Sequence, residues 1–135
     1  MHAIFPNAAL LRCLNAILTA DKRYRLFTNN ITPGPATVIG DFTEAAWAGY
    51  AYTDIALADW TLQSVVGNVA SYIAAPVSFL NSSGGTVTPY GYYVTDTTGT
   101  YLFQAGRFDG APVSILDTQS LALIPVFANS SKYTS

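Results

Sequence analysis

Leu10, Leu14, Ile17 and Leu18 recur at the spacing of successive helical turns, while Arg12, Asn15, Ala16 and Thr19 fall on the opposite side. This period predicts an amphipathic helix over residues 7–19 with Asn7 as its cap. Its apolar stripe is expected to pack on the rest of the chain, because Arg12 alone is too little charge for a membrane-surface anchor. After Asp21 the period drops to two. Arg23-Tyr24-Arg25-Leu26 alternates polar and apolar side chains, the pattern of a half-buried strand. Pro33, Gly34 and Pro35 break it. Asp41-Phe42-Thr43-Glu44 has capping-box spacing and predicts one or two helical turns over Ala45-Ala46-Trp47, ended by Gly49.

From Tyr50 onward the pattern is β. Strands are expected at 50–55, 70–74, 77–80, 86–95, 100–105, 112–116 and 121–127, with turns at 81–85, 96–99, 109–110 and 117–118. The segments 86–95 and 100–108 should form a hairpin closed by Gly99. No helical patterns alternate with the strands, so a parallel sheet is not expected. The fold class is therefore mainly β, an antiparallel β-sandwich or barrel of jelly-roll type with an N-terminal amphipathic α-helix. One domain over 1–135 is expected, with a β domain over 22–128 and a flexible polar tail at 129–135.

Composition sharpens this picture. Half of the 135 residues are hydrophobic and 10 % are charged, against about 25 % charged in a typical soluble domain. No run approaches the ~20 consecutive apolar residues of a spanning helix. Nor do residues 1–20 match a secretory signal: the start is neutral, Arg12 interrupts the apolar run, and Leu18-Thr19-Ala20 is a poor cleavage site. With nine Tyr, seven Phe and two Trp, the surface must be covered by Thr, Ser, Asn and Tyr or by another protein. The net charge of −2 argues against a nucleic-acid partner. Basic residues gather in 1–30 and acidic ones in 41–117, a polarity that can orient a subunit on a partner or simply reflect solvated charges near turns.

Candidate chemistry is sparse. Cys13 is the only cysteine and lies in an apolar helical pattern, so it reads as a buried, inert thiol. His2 is the only histidine and lies in a terminus expected to fray, so neither a His-dependent triad nor a multi-histidine metal site is expected within one chain. Asp96, Asp109 and Asp117 sit at turns, where aspartate binds local backbone, and are not read as a glycosidase pair. No catalytic residue, metal ligand or cofactor is expected. Asn30, Asn81 and Asn129 head short glycosylation patterns that carry little weight alone. The aromatics suit a core plus an interface; a sugar-stacking platform built on Trp47, Trp60 or Tyr92 is the competing assignment. Ile31 and Val38, beside the rigid Pro33 and Pro35, form a candidate docking loop because prolines lower the entropy lost on binding.

Several segments taken together carry a resemblance: 26–33 (LFTNNITP), 41–45 (DFTEA), Gly49-Tyr50, Trp60, 90–96 (YGYYVTD), Arg107-Phe108 and 121–127 (LALIPVF). In this order the chain resembles the small virion structural proteins of tailed bacteriophages, over nearly its whole length. The resemblance transfers no catalytic residue. It implies a non-enzymatic virion component assembled in the host cytoplasm, either a capsid cement (decoration) protein or a tail fibre or baseplate-associated protein. The implied partners are the major capsid protein or another virion protein, together with further copies of the chain as a homo-oligomer, and neither nucleic acid nor membrane.

Overall fold

The alternation in Arg23–Leu26 is realised as a strand with Tyr24 and Leu26 inside and Arg23 and Arg25 half-exposed. A computed structural model describes residues 2–4, 20–66, 69–130 and 132–134. Among them are eleven strands: β1 (His2–Ile4), β2 (Lys22–Phe27), β3 (Thr53–Ile55), β4 (Thr61–Val66), β5 (Val69–Ile73), β6 (Val77–Leu80), β7 (Gly91–Asp96), β8 (Leu102–Arg107), β9 (Ser120–Leu123), β10 (Val126–Ser130) and β11 (Lys132–Thr134). The protein is mainly β with antiparallel sheets, ordered β3-β2-β7-β8, β10-β5-β4, β6-β9 and β1-β11. Among the described residues the only helical elements are two short 3-10 turns, Ile39–Asp41 and Leu57–Asp59. The expected helix over 7–19, with Cys13, lies outside the described residues. The chain divides into two compact units, one holding 22–54 and 77–123, the other 1–21, 55–76 and 124–135.

In the first of these units β2 pairs with β7 so that Arg25 faces Tyr93 and Phe27 faces Gly91. One sheet face carries Phe27, Tyr93 and the incoming Phe42, with Ile31, Tyr90, Leu102 and Ala105 packed around them. Phe42 stacks on Tyr93 at 4.4 Å between ring centroids and meets Phe27 at 5.0 Å. Full burial of a side chain such as Phe27 contributes about 1.5–3 kcal/mol. The opposite face buries Tyr24, Leu26 and Val94. The expected hairpin is present: β7 and β8 are antiparallel neighbours from Gly91↔Arg107 to Thr95↔Leu102, with a register shift near Val94. Asp96 organises its turn by accepting from the Thr100 and Tyr101 N–H groups and the Thr98 hydroxyl. Gly99 takes the positive φ of +72° that the turn requires.

Several expectations are corrected. Residues 45–47 form no helix. The Asp41 carboxylate accepts from the Val38 N–H at 2.9 Å, capping the turn before it rather than a helix after it. The chain then runs along the edge of β2, where the Ala45 N–H donates to the Leu26 carbonyl at 3.0 Å, and a single turn joins Trp47 to Tyr50. An open strand edge outcompetes local helix propensity because it offers fixed hydrogen-bond partners. The expected strand 86–95 begins only at Gly91, after the buried Pro89, which has no donor to give a ladder. Segment 112–116 contributes only the Val87↔Ile115 bridge. Likewise, 121–127 is split at Pro125 into β9, which pairs with β6, and β10, which pairs with β5.

In the other unit the Asp21 carboxylate accepts from the Leu57 N–H at 3.0 Å and so satisfies the start of the Leu57–Asp59 turn. Trp60 meets Phe127 edge-on at 5.1 Å, and both are buried. The sequence signals a free tail from residue 129. Instead, Asn129 and Ser130 pair with Ala70 and Val69, and Lys132–Thr134 pairs with His2–Ile4. No helix among the described residues is long and apolar enough to cross a membrane.

Candidate docking groove

Loop 28–43 leaves the end of β2 and is closed at its base by Asn29. The Asn29 side-chain amide donates to the Asp41 carbonyl at 2.8 Å, and its Oδ1 accepts from the Thr43 N–H at 2.9 Å. Arg107, at the end of β8, donates from Nη1 to Asn30 Oδ1 (2.7 Å) and to the Ile31 carbonyl (3.1 Å), with its guanidinium over Tyr90. At the tip, Thr37 Oγ1 accepts from the Gly34 N–H at 2.8 Å while the Thr37 N–H donates back to the Gly34 carbonyl. With Pro33 and Pro35 fixing their own φ angles, the loop stands as a stiff wall beside β8.

Two adjoining cavities lie between wall and strand. One, about 290 Å³, is lined by Pro33, Gly34, Pro35, Thr37 and residues 102–105. The other, about 380 Å³, is lined by residues 37–40 and 99–102. They share Thr37 and Leu102, and no charged side chain lines either. Val38 is 59 % exposed and Tyr101 65 % exposed, on opposite sides of the second cavity.

Of the sequence candidates, Pro33, Pro35 and Val38 line this groove. Ile31 does not; it packs on the Phe27–Phe42–Tyr93 cluster and anchors the loop from inside. Trp47 is half-buried, donates from Nε1 to the Leu80 carbonyl at 2.9 Å and meets Tyr50 edge-on. Trp60 is buried in the other unit. Tyr92 stacks on Tyr24 and Phe108. All three are engaged in packing, Trp60 in the interior and Trp47 and Tyr92 in part. Tyr101, Leu102, Phe103 and Ala105 were missed, since their role comes from the position of β8 at the end of its sheet.

The separation of charge along the chain largely cancels in this unit. Arg23 holds Asp54 through two bonds of 2.7 and 3.0 Å and lies over the Tyr52 ring at 3.7 Å. Arg25 donates to Glu44 Oε1 at 2.7 Å, and the Tyr50 hydroxyl donates to Glu44 Oε2 at 2.8 Å. Exposed pairs of this kind contribute about 0–1 kcal/mol each, so they fix geometry more than stability. Burial raises the Tyr50 hydroxyl pKa well above its usual value, helped by Glu44. Burial also pushes Tyr93 up to about 12.

Asn81, which heads one glycosylation pattern, is fully buried. Its amide donates to the Gly85 and Ile115 carbonyls and its Oδ1 accepts from the Ser83 N–H, a structural role that leaves nothing to modify. Among the described residues no group of three His, Cys, Asp or Glu is placed to hold a metal ion. No protein-family model, curated protein or solved structure matches the chain.

Proposed function

We propose that this chain is a non-enzymatic structural protein of a tailed-phage virion, a capsid cement or decoration protein that docks on the major capsid protein and acts as a homo-oligomer. One observation carries the docking part: an uncharged groove beside the last strand of a sheet, rimmed by exposed Val38 and Tyr101 and walled by a proline-stiffened loop. Large apolar side chains held rigidly at a surface lose little entropy on contact, which suits adhesion across subunit boundaries. The resemblance described above supports the virion part. The finer fold proposed with it is a jelly-roll-like sandwich or barrel carrying an amphipathic helix over 7–19; stacking of Phe79 from β6 on Tyr50 supports a second layer against the β2 sheet.

Purified particles test this reading. The chain should be present in copy numbers comparable with the major capsid protein and visible on the shell. A few copies per particle would move it to the tail fibre or baseplate. Absence from particles would overturn the virion assignment.

A further inference from the structure

We infer that the groove takes an extended, uncharged segment of a partner protein as an added strand on β8. The inference rests on the docking reading of the groove and not on the virion assignment. β8 is the terminal strand of its sheet. The Phe108 N–H donates to the Tyr90 carbonyl at 2.9 Å, in line with the pairs Tyr92↔Gly106 and Val94↔Gln104. Antiparallel alternation then turns the N–H and C=O of Ala105 and Arg107 away from β7. Among the described residues no strand meets that outer edge.

The facing wall offers few donors to it. Pro33 and Pro35 have no N–H, and the N–H groups of Gly34 and Thr37 are spent inside the loop. Outward donors and acceptors at Ala105 and Arg107 that no described strand meets are complementary to an extended backbone. Six residues of β8 offer about 20 Å of ladder. The absence of charge from the lining selects uncharged side chains, since burying an unpaired charge is costly. Gly34 and Ala105 leave room for side chains at one end, and Val38 with Tyr101 offers apolar contact at the other.

The test uses the full chain and a capped peptide of alternating Thr and Val, with an N-methylated copy and a copy bearing Lys in place of Thr as controls. Amide NMR shifts should concentrate on residues 33–38 and 101–107, and hydrogen exchange at Ala105 and Arg107 should slow. N-methylation should abolish the effect and Lys should weaken it. Gly34→Trp plugs the groove, and a Cβ at Gly34 meets nothing within 4 Å, so the fold should survive while affinity drops at least about tenfold. Ala105→Pro, which removes only an outward N–H, should act the same way.

Equal binding of the N-methylated peptide, unchanged affinity in Gly34→Trp, or no shifts at millimolar peptide would each overturn strand addition. Protection of Ala105 without peptide overturns the partner assignment: if it grows with protein concentration the occupant is a second copy, and if it is constant the occupant is this chain itself. Particle occupancy of the wild type is read separately, so failure here leaves the virion assignment standing on its own test.

Discussion

The Phe27 ring lies directly on the bare Cα of Gly91, its cross-strand partner: a Cβ on Gly91 would come within 2.6 Å of the ring and would also collide with the Gly106 carbonyl oxygen. Gly106 is in a milder version of the same position, with the Tyr92 ring 2.8 Å from where its Cβ would stand. Phe27 is fully buried and a backbone carbonyl cannot rotate away, whereas Tyr92 is half-exposed. Gly91→Ala should therefore cost about 3 kcal/mol or more and Gly106→Ala about 1–2 kcal/mol, as overpacking does when neighbours can or cannot yield. Urea unfolding of the two variants checks the order, which should not reverse.

Asn81 braces its own 81–85 turn and ties it to the segment at Ile115 from a fully buried position. Asn81→Ala removes three hydrogen bonds and strands the Ser83 N–H, while the Gly85 carbonyl keeps the Ser83 hydroxyl and the Ile115 carbonyl keeps the Val87 N–H, a loss of about 2–4 kcal/mol. Asn81→Asp should be worse at neutral pH, because a carboxylate accepts but cannot donate to the Gly85 and Ile115 carbonyls. Thermal melts of both variants, with the Asp variant partly recovering as acid protonates it, would establish the role.

Asp96 gives an acid-range signature. The Thr98 hydroxyl bond, with the Tyr101, Thr100 and Gly99 N–H groups, lowers its pKa below the ordinary carboxylate value of 3.8, with desolvation opposing. A folded pKa below the unfolded one means its contribution is present above the unfolded value and lost as pH falls through the folded one. Asp96→Asn should flatten the stability profile below about pH 4 and leave the neutral-pH hairpin register intact. A steeper acid slope in the variant would contradict this.

The buried tyrosines govern the alkaline side. Burial first, then Glu44, raises Tyr93 from the ordinary tyrosine value of 10.0 to about 12, with Arg25 opposing. Burial likewise raises Tyr24, with Tyr92 adding to it. A raised folded pKa means the contribution is complete below the unfolded value and lost as pH rises through the folded one. Ultraviolet titration should show phenolate absorbance from Tyr93 only above pH 10, and unfolding should set in over that same range. Tyr93→Phe should widen the stable range upward.

Phe127→Ala probes the second unit. Its ring is buried edge-on to Trp60, so truncation should cost about 3–5 kcal/mol. Trp fluorescence should report the change, since Trp60 loses that neighbour whereas Trp47 keeps Tyr50.

Side-chain period, turn residues and composition determined what lies within a few residues along the chain. The alternation of β2, the Asp96–Gly99 turn between β7 and β8, the interruption at Pro33-Gly34-Pro35 and the mainly β class were all legible, because each follows from local backbone chemistry. Strand neighbours distant in sequence were not. Segment 121–127 reads as one strand, yet Pro125 splits it between two sheets. The capping-box spacing at Asp41 reads as a helix start, yet the open edge of β2 claims the residues that follow. The tail from 129 carries no period, yet the chain's own start pairs with its end. The groove belongs to this second class. Three of its residues could be marked because prolines stiffen any loop, but the open edge of β8 exists only once the sheet order is set, and hydrogen-bond partners far apart in sequence set that order.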